Sequence, residues 1–215
     1  DYQTLAAGSW STNTTWQVRS GGAWVNCLAG DYPGAVAGAG TVTIRNGHNV
    51  TLDVSPANDI ASLVINNGNV STTLSIPSTF TLSVTGQTSI SANNVGVNKS
   101  ILVNGGTFNT ASLTLNGIAN NTADAFLEIS SGIVNVSGNI QGNQTNLRTY
   151  ILFTSLGTGT LNISGTITGG GITSATGGGA SAPISGTVNY NLSGDQTIGA
   201  YSYNNLTFSG SGIKS

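Results

Sequence analysis

The feature that most constrains this fold is a short alternating motif that recurs from about residue 41 to the end of the chain. In each motif apolar and polar residues alternate, and Asn-Gly, Ser-Gly or Gly-Gly follows. Alternation with many β-branched residues is typical of strands, and Gly with Asn is typical of turns. The pattern therefore predicts an all-β protein. Representative runs are residues 41–44, 63–65, 101–103, 113–115, 127–129, 161–163 and 206–208.

The charge content excludes several other classes of protein. Charged residues make up 6% of the chain, against about 25% in an ordinary globular domain. Lys and Glu, which are common on exposed helix faces, occur only as Lys99, Lys214 and Glu128, so a helical protein is not expected. The formal net charge of −2 and the hydrophobic fraction of 38% argue against charge-driven disorder. Five Lys and Arg residues form no basic stripe, so no nucleic-acid partner is predicted.

The short strands favour a solenoid over a sandwich or barrel. Sandwiches and barrels prefer longer strands and larger aromatic side chains between two sheets, whereas aromatic residues here make up 7% of the chain. A solenoid stacks short strands at about 4.8 Å, with small aliphatic side chains inside. Asn, Ser and Thr at its corners can hydrogen-bond to equivalent residues above and below. We therefore predict a right-handed parallel β-solenoid, that is, a β-helix.

Differences in amino-acid composition divide the chain into three parts. Residues 1–40 contain all three tryptophans, and we predict an aromatic-rich N-terminal cap because an open solenoid end would promote aggregation. Residues 41–185 are predicted to form six to eight coils with a period of roughly 20 residues. Residues 186–215 are predicted to start a further β-repeat module, and we expect the natural polypeptide to continue beyond it.

Polar and titratable residues suggest no catalytic or metal centre. The seven acidic residues are spread along the chain, and His48 and Cys27 are the only residues of their kinds. Glycoside cleavage needs two carboxylates across a groove, and a zinc site needs three or four converging ligands. We predict no enzyme activity, no cofactor and no metal. The sequence also has no run of about 18 apolar residues, so no transmembrane span is predicted.

Aromatic side chains are the candidates for contact with a sugar or another surface. Their rings can stack on sugar rings, although the alternative is that the tryptophans pack in the cap and the tyrosines pack between coils. The candidate contact residues are Trp10, Trp16, Trp24, Tyr201 and Tyr203.

Both ends of the chain resemble one family. The residues that carry the likeness are Gly8-Ser9-Trp10 with Thr15-Trp16, then 41–53 and 61–65, then 186–190, 195–198 and 203–214. These stretches resemble Bacteroidetes secreted cell-surface proteins with β-strand repeats, which are adhesin-like. The resemblance implies export, passage through the type IX secretion machinery of the outer membrane, and display on the cell surface, and some relatives are gliding-motility adhesins. It transfers no catalytic residue.

Together these observations predict a non-catalytic structural or adhesive segment of an exported bacterial cell-surface protein. Its partners would be the secretion machinery during export and then a surface polysaccharide or an abiotic surface. Two alternatives remain open from the sequence: a carbohydrate-binding or polysaccharide-degrading β-helix protein, and a subunit of an extracellular filament.

Overall fold

A computed structural model of the chain describes residues 1–66, 68–92, 94, 96–118, 123–143, 148–154, 157–173, 183 and 185–215. Within these residues the chain forms strands, turns and one short 3-10 helix at Asn13–Thr15, with no α-helix. The strands are β1 Tyr2–Thr4, β2 Gly8–Ser9, β3 Trp16–Ser20, β4 Ala23–Asn26, β5 Thr41–Ile44, β6 Val50–Thr51, β7 Ser62–Ile65, β8 Thr72–Pro77, β9 Thr81–Ser91, β10 Lys99–Asn116, β11 Ala125–Val136, β12 Ile140–Gly142, β13 Thr149–Phe153, β14 Thr160–Ile163, β15 Ile167–Thr168, β16 Gly171–Thr173, β17 Thr187–Tyr190 and β18 Asn205–Phe208.

The strands pair in parallel in three stacks that run side by side along one axis. The A stack contains β1, β5, β7, β9, β10, β12 and β15. The B stack contains β2, β6, β8, β10, β11, β13 and β16. The C stack contains β9, β10, β11, β14, β17 and β18. Long strands such as β10 bend at corners and so belong to more than one stack. This arrangement confirms the parallel β-solenoid.

The coils are longer and fewer than the sequence predicted. Stacked, hydrogen-bonded residues in the C stack are 26 or 27 residues apart, and a shorter coil near the N-terminus separates Thr41 from Ser62 by 21 residues. From β5 to β15 the solenoid makes about five turns, each of which leads from one strand of the A stack to the next. The prediction of six to eight coils with a period of roughly 20 residues was wrong, because three strands with their corners need more chain than the visible motif spacing suggests.

The interior is built from columns of aliphatic side chains. In the B stack, Leu74, Ile101, Leu127 and Ile151 pair in register in successive coils, and all four are buried. Each such side chain contributes about 1.5–3 kcal/mol on burial. Because alternate residues of a strand point to opposite faces, the residues between them face away from the column. They are polar on β8, whereas Phe126, Tyr150 and Leu152 on β11 and β13 form a second buried cluster on that face. The column thus converts the alternating sequence pattern into a continuous core.

The N-terminal part combines solenoid strands with an antiparallel hairpin. β1 and β2 already pair in parallel with β5 and β6, whereas β3 and β4 pair with each other in antiparallel orientation. β3 also lies antiparallel to β1 and covers that edge of the first coil. The hairpin thus protects backbone groups that an open coil would expose.

The C-terminal part continues the C stack. β17 pairs with β14, and β18 pairs with β17, both in parallel. Leu206 and Phe208 of β18 remain 36% and 52% exposed, while Val188 and Tyr190, their partners in β17, are buried. The assignment of residues 186–215 to a separate module stays a prediction.

Candidate functional site

Two of the candidate contact residues, Trp10 and Trp16, lie inside the cap. Both are 0% exposed, and their rings meet edge to face with centroids 5.0 Å apart. Trp10 Nε1 donates to Pro33 O at 2.9 Å, and Trp16 Nε1 donates to Trp10 O at 2.7 Å. Their ring faces are therefore not available to a ligand. The expectation of a sugar or surface contact does not fit these two residues, because burial and both hydrogen bonds assign them to packing.

Trp24 lies on the hairpin strand β4 and is half-buried. The Arg19 guanidinium carbon sits 5.6 Å from the centroid of its ring, and β3 and β4 bring the two residues opposite each other. This arrangement is a cation–π contact at the surface. Part of the ring remains accessible, so surface contact by Trp24 stays a prediction.

The candidate tyrosines lie near the other end of the solenoid and are half-buried. Tyr201 donates its hydroxyl to Gly169 O at 3.0 Å. Tyr203 donates to Gly199 O and shares a 2.9 Å hydrogen bond with the Tyr190 hydroxyl. Burial, followed by this hydrogen bond to Tyr190, raises the pKa of Tyr203 above its usual range. The five aromatic candidates thus do not converge on one site, and a contact role for the tyrosines stays a prediction.

The titratable groups in the described part of the chain are dispersed. Asp53 accepts hydrogen bonds from the backbone N–H and hydroxyl of Ser11, and Asp124 pairs with Arg148 at 3.0 Å. His48 lies in a turn, where burial and then Arg45 lower its pKa. Within the described ranges, no three His, Cys, Asp or Glu side chains form a group that could hold a metal ion.

A ladder of side-chain hydrogen bonds runs along the outside of the C stack. Asn135 Nδ2 donates to Asn109 Oδ1 at 2.8 Å, and Asn162 Nδ2 donates to Asn135 Oδ1 at 2.8 Å. Asn189 Nδ2 continues the ladder to Asn162 Oδ1 at 3.0 Å. Ser83 accepts from Asn109 at one end, and Ser209 donates to Asn189 at the other. The parallel register places Ser83 and the four asparagines directly above one another, so one polar ladder crosses the five strands β9, β10, β11, β14 and β17.

A groove of about 510 Å³ follows this ladder. One wall contains Ser83 and three of the ladder asparagines, and the other wall is made by residues two positions further along each strand. The floor of the groove, between the two walls, is formed by three buried residues, Val84, Thr110 and Val136. Almost every lining side chain is small or carries an amide or hydroxyl group. The lining residues are Asp59, Ser83, Val84, Thr85, Asn109, Thr110, Ala111, Asn135, Val136, Ser137, Asn162, Ser164 and Asn191.

Sequence reasoning anticipated hydrogen bonds between coils but missed this groove. It expected polar stacking at the corners, whereas the ladder lies on the outer face of the strands themselves. The missed signal is an Asn that lies between two buried residues and recurs once per coil. The four examples are Phe108-Asn109-Thr110, Val134-Asn135-Val136, Leu161-Asn162-Ile163 and Val188-Asn189-Tyr190, and Thr110 is the one polar residue among the buried neighbours. Its spacing of 26 or 27 residues was the true length of a coil.

The fold and groove define the class of the protein as a β-solenoid repeat protein with an outer groove lined mainly by amide and hydroxyl groups. Compared with models of known families, with curated proteins and with solved structures, the chain matches none. Among the described residues, no helix has the length and apolar character needed to cross a bilayer.

Proposed function

We propose that this chain is a non-catalytic structural and adhesive segment of an exported bacterial cell-surface protein. The observation that carries the proposal is that a continuous stacked core occurs together with a nearly uncharged outer surface of Asn, Ser and Thr. Display at the surface and export through the type IX machinery rest on the resemblance of residues 41–53 and 186–190 to Bacteroidetes adhesin-like proteins.

Parallel pairing in three stacks supports the structural part of the proposal. Each inner strand of the C stack, such as β11 or β14, is hydrogen-bonded on both sides. The asparagine ladder adds side-chain bonds along the same axis, each of which contributes about 0.5–1.5 kcal/mol net. Bending the solenoid would strain many of these bonds together, so the coils form a stiff rod.

The outer surface supports the adhesive part. The whole chain has five Lys and Arg and seven Asp and Glu, and several of these are already engaged, as in the Arg148–Asp124 pair and in Lys214, which donates to Leu192 O and Gly194 O. A surface of amides and hydroxyls makes many weak contacts, and affinity then arises from repetition along the rod.

The test is the retention of protein-coated beads under flow. Beads that carry the 215-residue chain at high density are passed over cellulose, mannan and glass, and beads with few copies serve as the valency control. We expect strong retention at high density and little at low density. Retention no better than that of beads coated with an unrelated β-protein of similar mass would contradict adhesion. Release of reducing ends from the polysaccharides would contradict the non-catalytic assignment.

The groove favours carbohydrate binding as a second candidate, without polysaccharide cleavage. Asp59 is the one carboxylate among the lining residues that the structure describes, whereas hydrolysis requires a pair across the substrate. The filament alternative requires complementary open coils at both ends. β3 lies antiparallel to β1 and covers that edge of the first coil, so this edge is not open to the parallel pairing that a filament would need.

A further inference from the structure

We propose that the groove beside the asparagine ladder binds a single chain of a neutral polysaccharide that lies along the solenoid axis. The inference rests on the proposed adhesive function and gives that function a defined site. The groove spans the coils that contain Asn109, Asn135 and Asn162, and Thr85 and Ser137 stand on its other wall.

The ladder leaves hydrogen-bonding capacity at every coil. A side-chain amide has two N–H donors and an oxygen that accepts two hydrogen bonds. Within the ladder, Asn135 uses one N–H to bond Asn109 and one acceptor position to bond Asn162. Each inner amide therefore retains a second N–H and a second acceptor position. Because stacked strands are about 4.8 Å apart, these groups repeat along the groove at that spacing.

The opposite wall carries mainly hydroxyl groups and leaves space for a ligand. Thr85 and Ser137 are exposed, Ala111 and Ser164 are half-buried, and all four side chains are small. Sugar hydroxyl groups both donate and accept hydrogen bonds, so they can pair with the amides of one wall and with the hydroxyl groups of the other. Asp59 contributes the one formal charge among these lining residues and lies at the end of the groove next to Ser83. An anionic polymer would lose hydration here without gaining a counter-charge, and the single carboxylate at one end offers a polycation no repeating partner, which favours a neutral chain.

A peptide fits the groove less well than a glycan. Peptides bind sheet proteins mainly by adding a strand to a free edge, with pockets for alternate side chains. The strands that form the groove have no free edge there, because β10 pairs with β9 and β11, and β14 pairs with β11 and β17. The lining also contains no aromatic side chain, so each sugar contributes little and affinity grows with the number of sugars bound.

The test follows the Asn side-chain amide signals by NMR while oligosaccharides are added to the full chain. The neutral probes are cellohexaose, laminarihexaose and mannohexaose, with hexagalacturonate as the charged comparison and an extended Thr/Val hexapeptide as the peptide comparison. We expect at least one neutral hexasaccharide to shift the signals of Asn109, Asn135 and Asn162, and the two comparison ligands to leave them unchanged.

Two groove variants and one matched control locate the site. Thr85→Leu and Ser137→Leu narrow the groove without altering the ladder, and each should weaken binding about tenfold or more, a change equivalent to about 1.4 kcal/mol. Thr168→Leu changes an exposed strand threonine outside the groove and should leave the affinity unchanged. Circular dichroism establishes whether each variant is folded. If Thr85→Leu does not fold, Ser137→Leu alone provides the test.

Four outcomes would overturn all or part of the inference. If no neutral hexasaccharide shifts the ladder amides, the groove is not a glycan site, although bead retention would still support adhesion. If the peptide shifts them in place of the sugars, the ligand class is wrong. Equal binding of hexagalacturonate contradicts the preference for a neutral chain, and equal weakening by Thr168→Leu contradicts the location. Loss of bead retention together with intact oligosaccharide binding would overturn the adhesive function alone.

Discussion

The side-chain amide of Asn135 donates a 2.8 Å hydrogen bond to the side-chain oxygen of Asn109, which occupies the same position 26 residues earlier in the chain. The bond connects two coils through their outer surface, and its partners are brought together by the parallel register of β10 and β11. The contact therefore stabilises the stack and also orients the free groups of both amides along the groove.

The first prediction concerns the donor in this ladder. Asn135→Asp replaces the N–H donor with a carboxylate oxygen that faces the oxygen of Asn109. We expect the free energy of unfolding at neutral pH to fall by about 1–3 kcal/mol, measured by urea denaturation. Asn69→Asp, at an exposed position, is the charge-matched control. Equal destabilisation by both variants would show that charge alone, and not the lost donor, is responsible.

The second prediction concerns the aliphatic columns. Ile65→Asp or Leu115→Asp places an unpaired carboxylate at a buried position of β7 or β10. We expect a loss of about 4 kcal/mol or more, or failure to fold, because the interior offers the charge no compensating partner. Ile133→Asp, on β11 with its side chain 43% exposed, should melt close to the wild type. Unchanged melting of the buried variants would contradict the inward assignment.

The third prediction distinguishes two costs of replacing a glycine: the strain of a left-handed backbone and a collision with the neighbouring coil. Gly132 and Gly22 both have left-handed φ angles, of 90° and 84°. A Cβ on Gly132 would collide with the backbone of Gly105 and Gly106 in the preceding coil, whereas a Cβ on Gly22 meets nothing within 4 Å. Gly132→Ala should therefore cost about 1–3 kcal/mol more than Gly22→Ala. Similar stabilities in thermal unfolding would rule out tight contact between these coils.

The fourth prediction distinguishes packing from contact among the tryptophans. Trp10→Ala removes a fully buried ring and its bond to Pro33, and should cost about 3–5 kcal/mol in denaturant unfolding. Trp24→Ala removes the half-buried ring beside Arg19, and should cost at most about 1 kcal/mol. If Trp24→Ala reduces bead retention while stability is preserved, Trp24 is a contact residue. If Trp10→Ala has no effect on stability, the cap packing described above is wrong.

The fifth prediction is a pH dependence that originates at His48. Burial and the nearby Arg45 lower the pKa of this imidazole in the folded state, so below about pH 6.5, its ordinary value, the unfolded state binds more protons. The free energy of unfolding should then decrease as the pH falls from 6.5 towards the folded pKa. His48→Gln should remove this component. Glu128, whose pKa is raised by burial, contributes with the opposite sign in both proteins and cancels in the comparison.

Features that depend on neighbouring residues in the sequence were predicted better than features that depend on distant ones. The alternation around Ile65 and Leu115 correctly placed these side chains in the core, because the strand period of two is a local property. The Trp-rich segment was predicted to form a cap, and the sequence left packing and ligand contact open for Trp10 and Trp16. Only the hydrogen bonds of their indole N–H groups to distant backbone oxygens decided between these roles.

By itself, the sequence determined the all-β class, the small aliphatic interior and the scarcity of charge, since composition and local alternation carry that information. The tertiary structure decided the coil length, the pairing of strands 26 or 27 residues apart and the groove. The physical reason is that a parallel register is set by which interior columns align across a whole coil, including its corners. No single motif contains that length, so the asparagines became a ladder only when the coils were stacked.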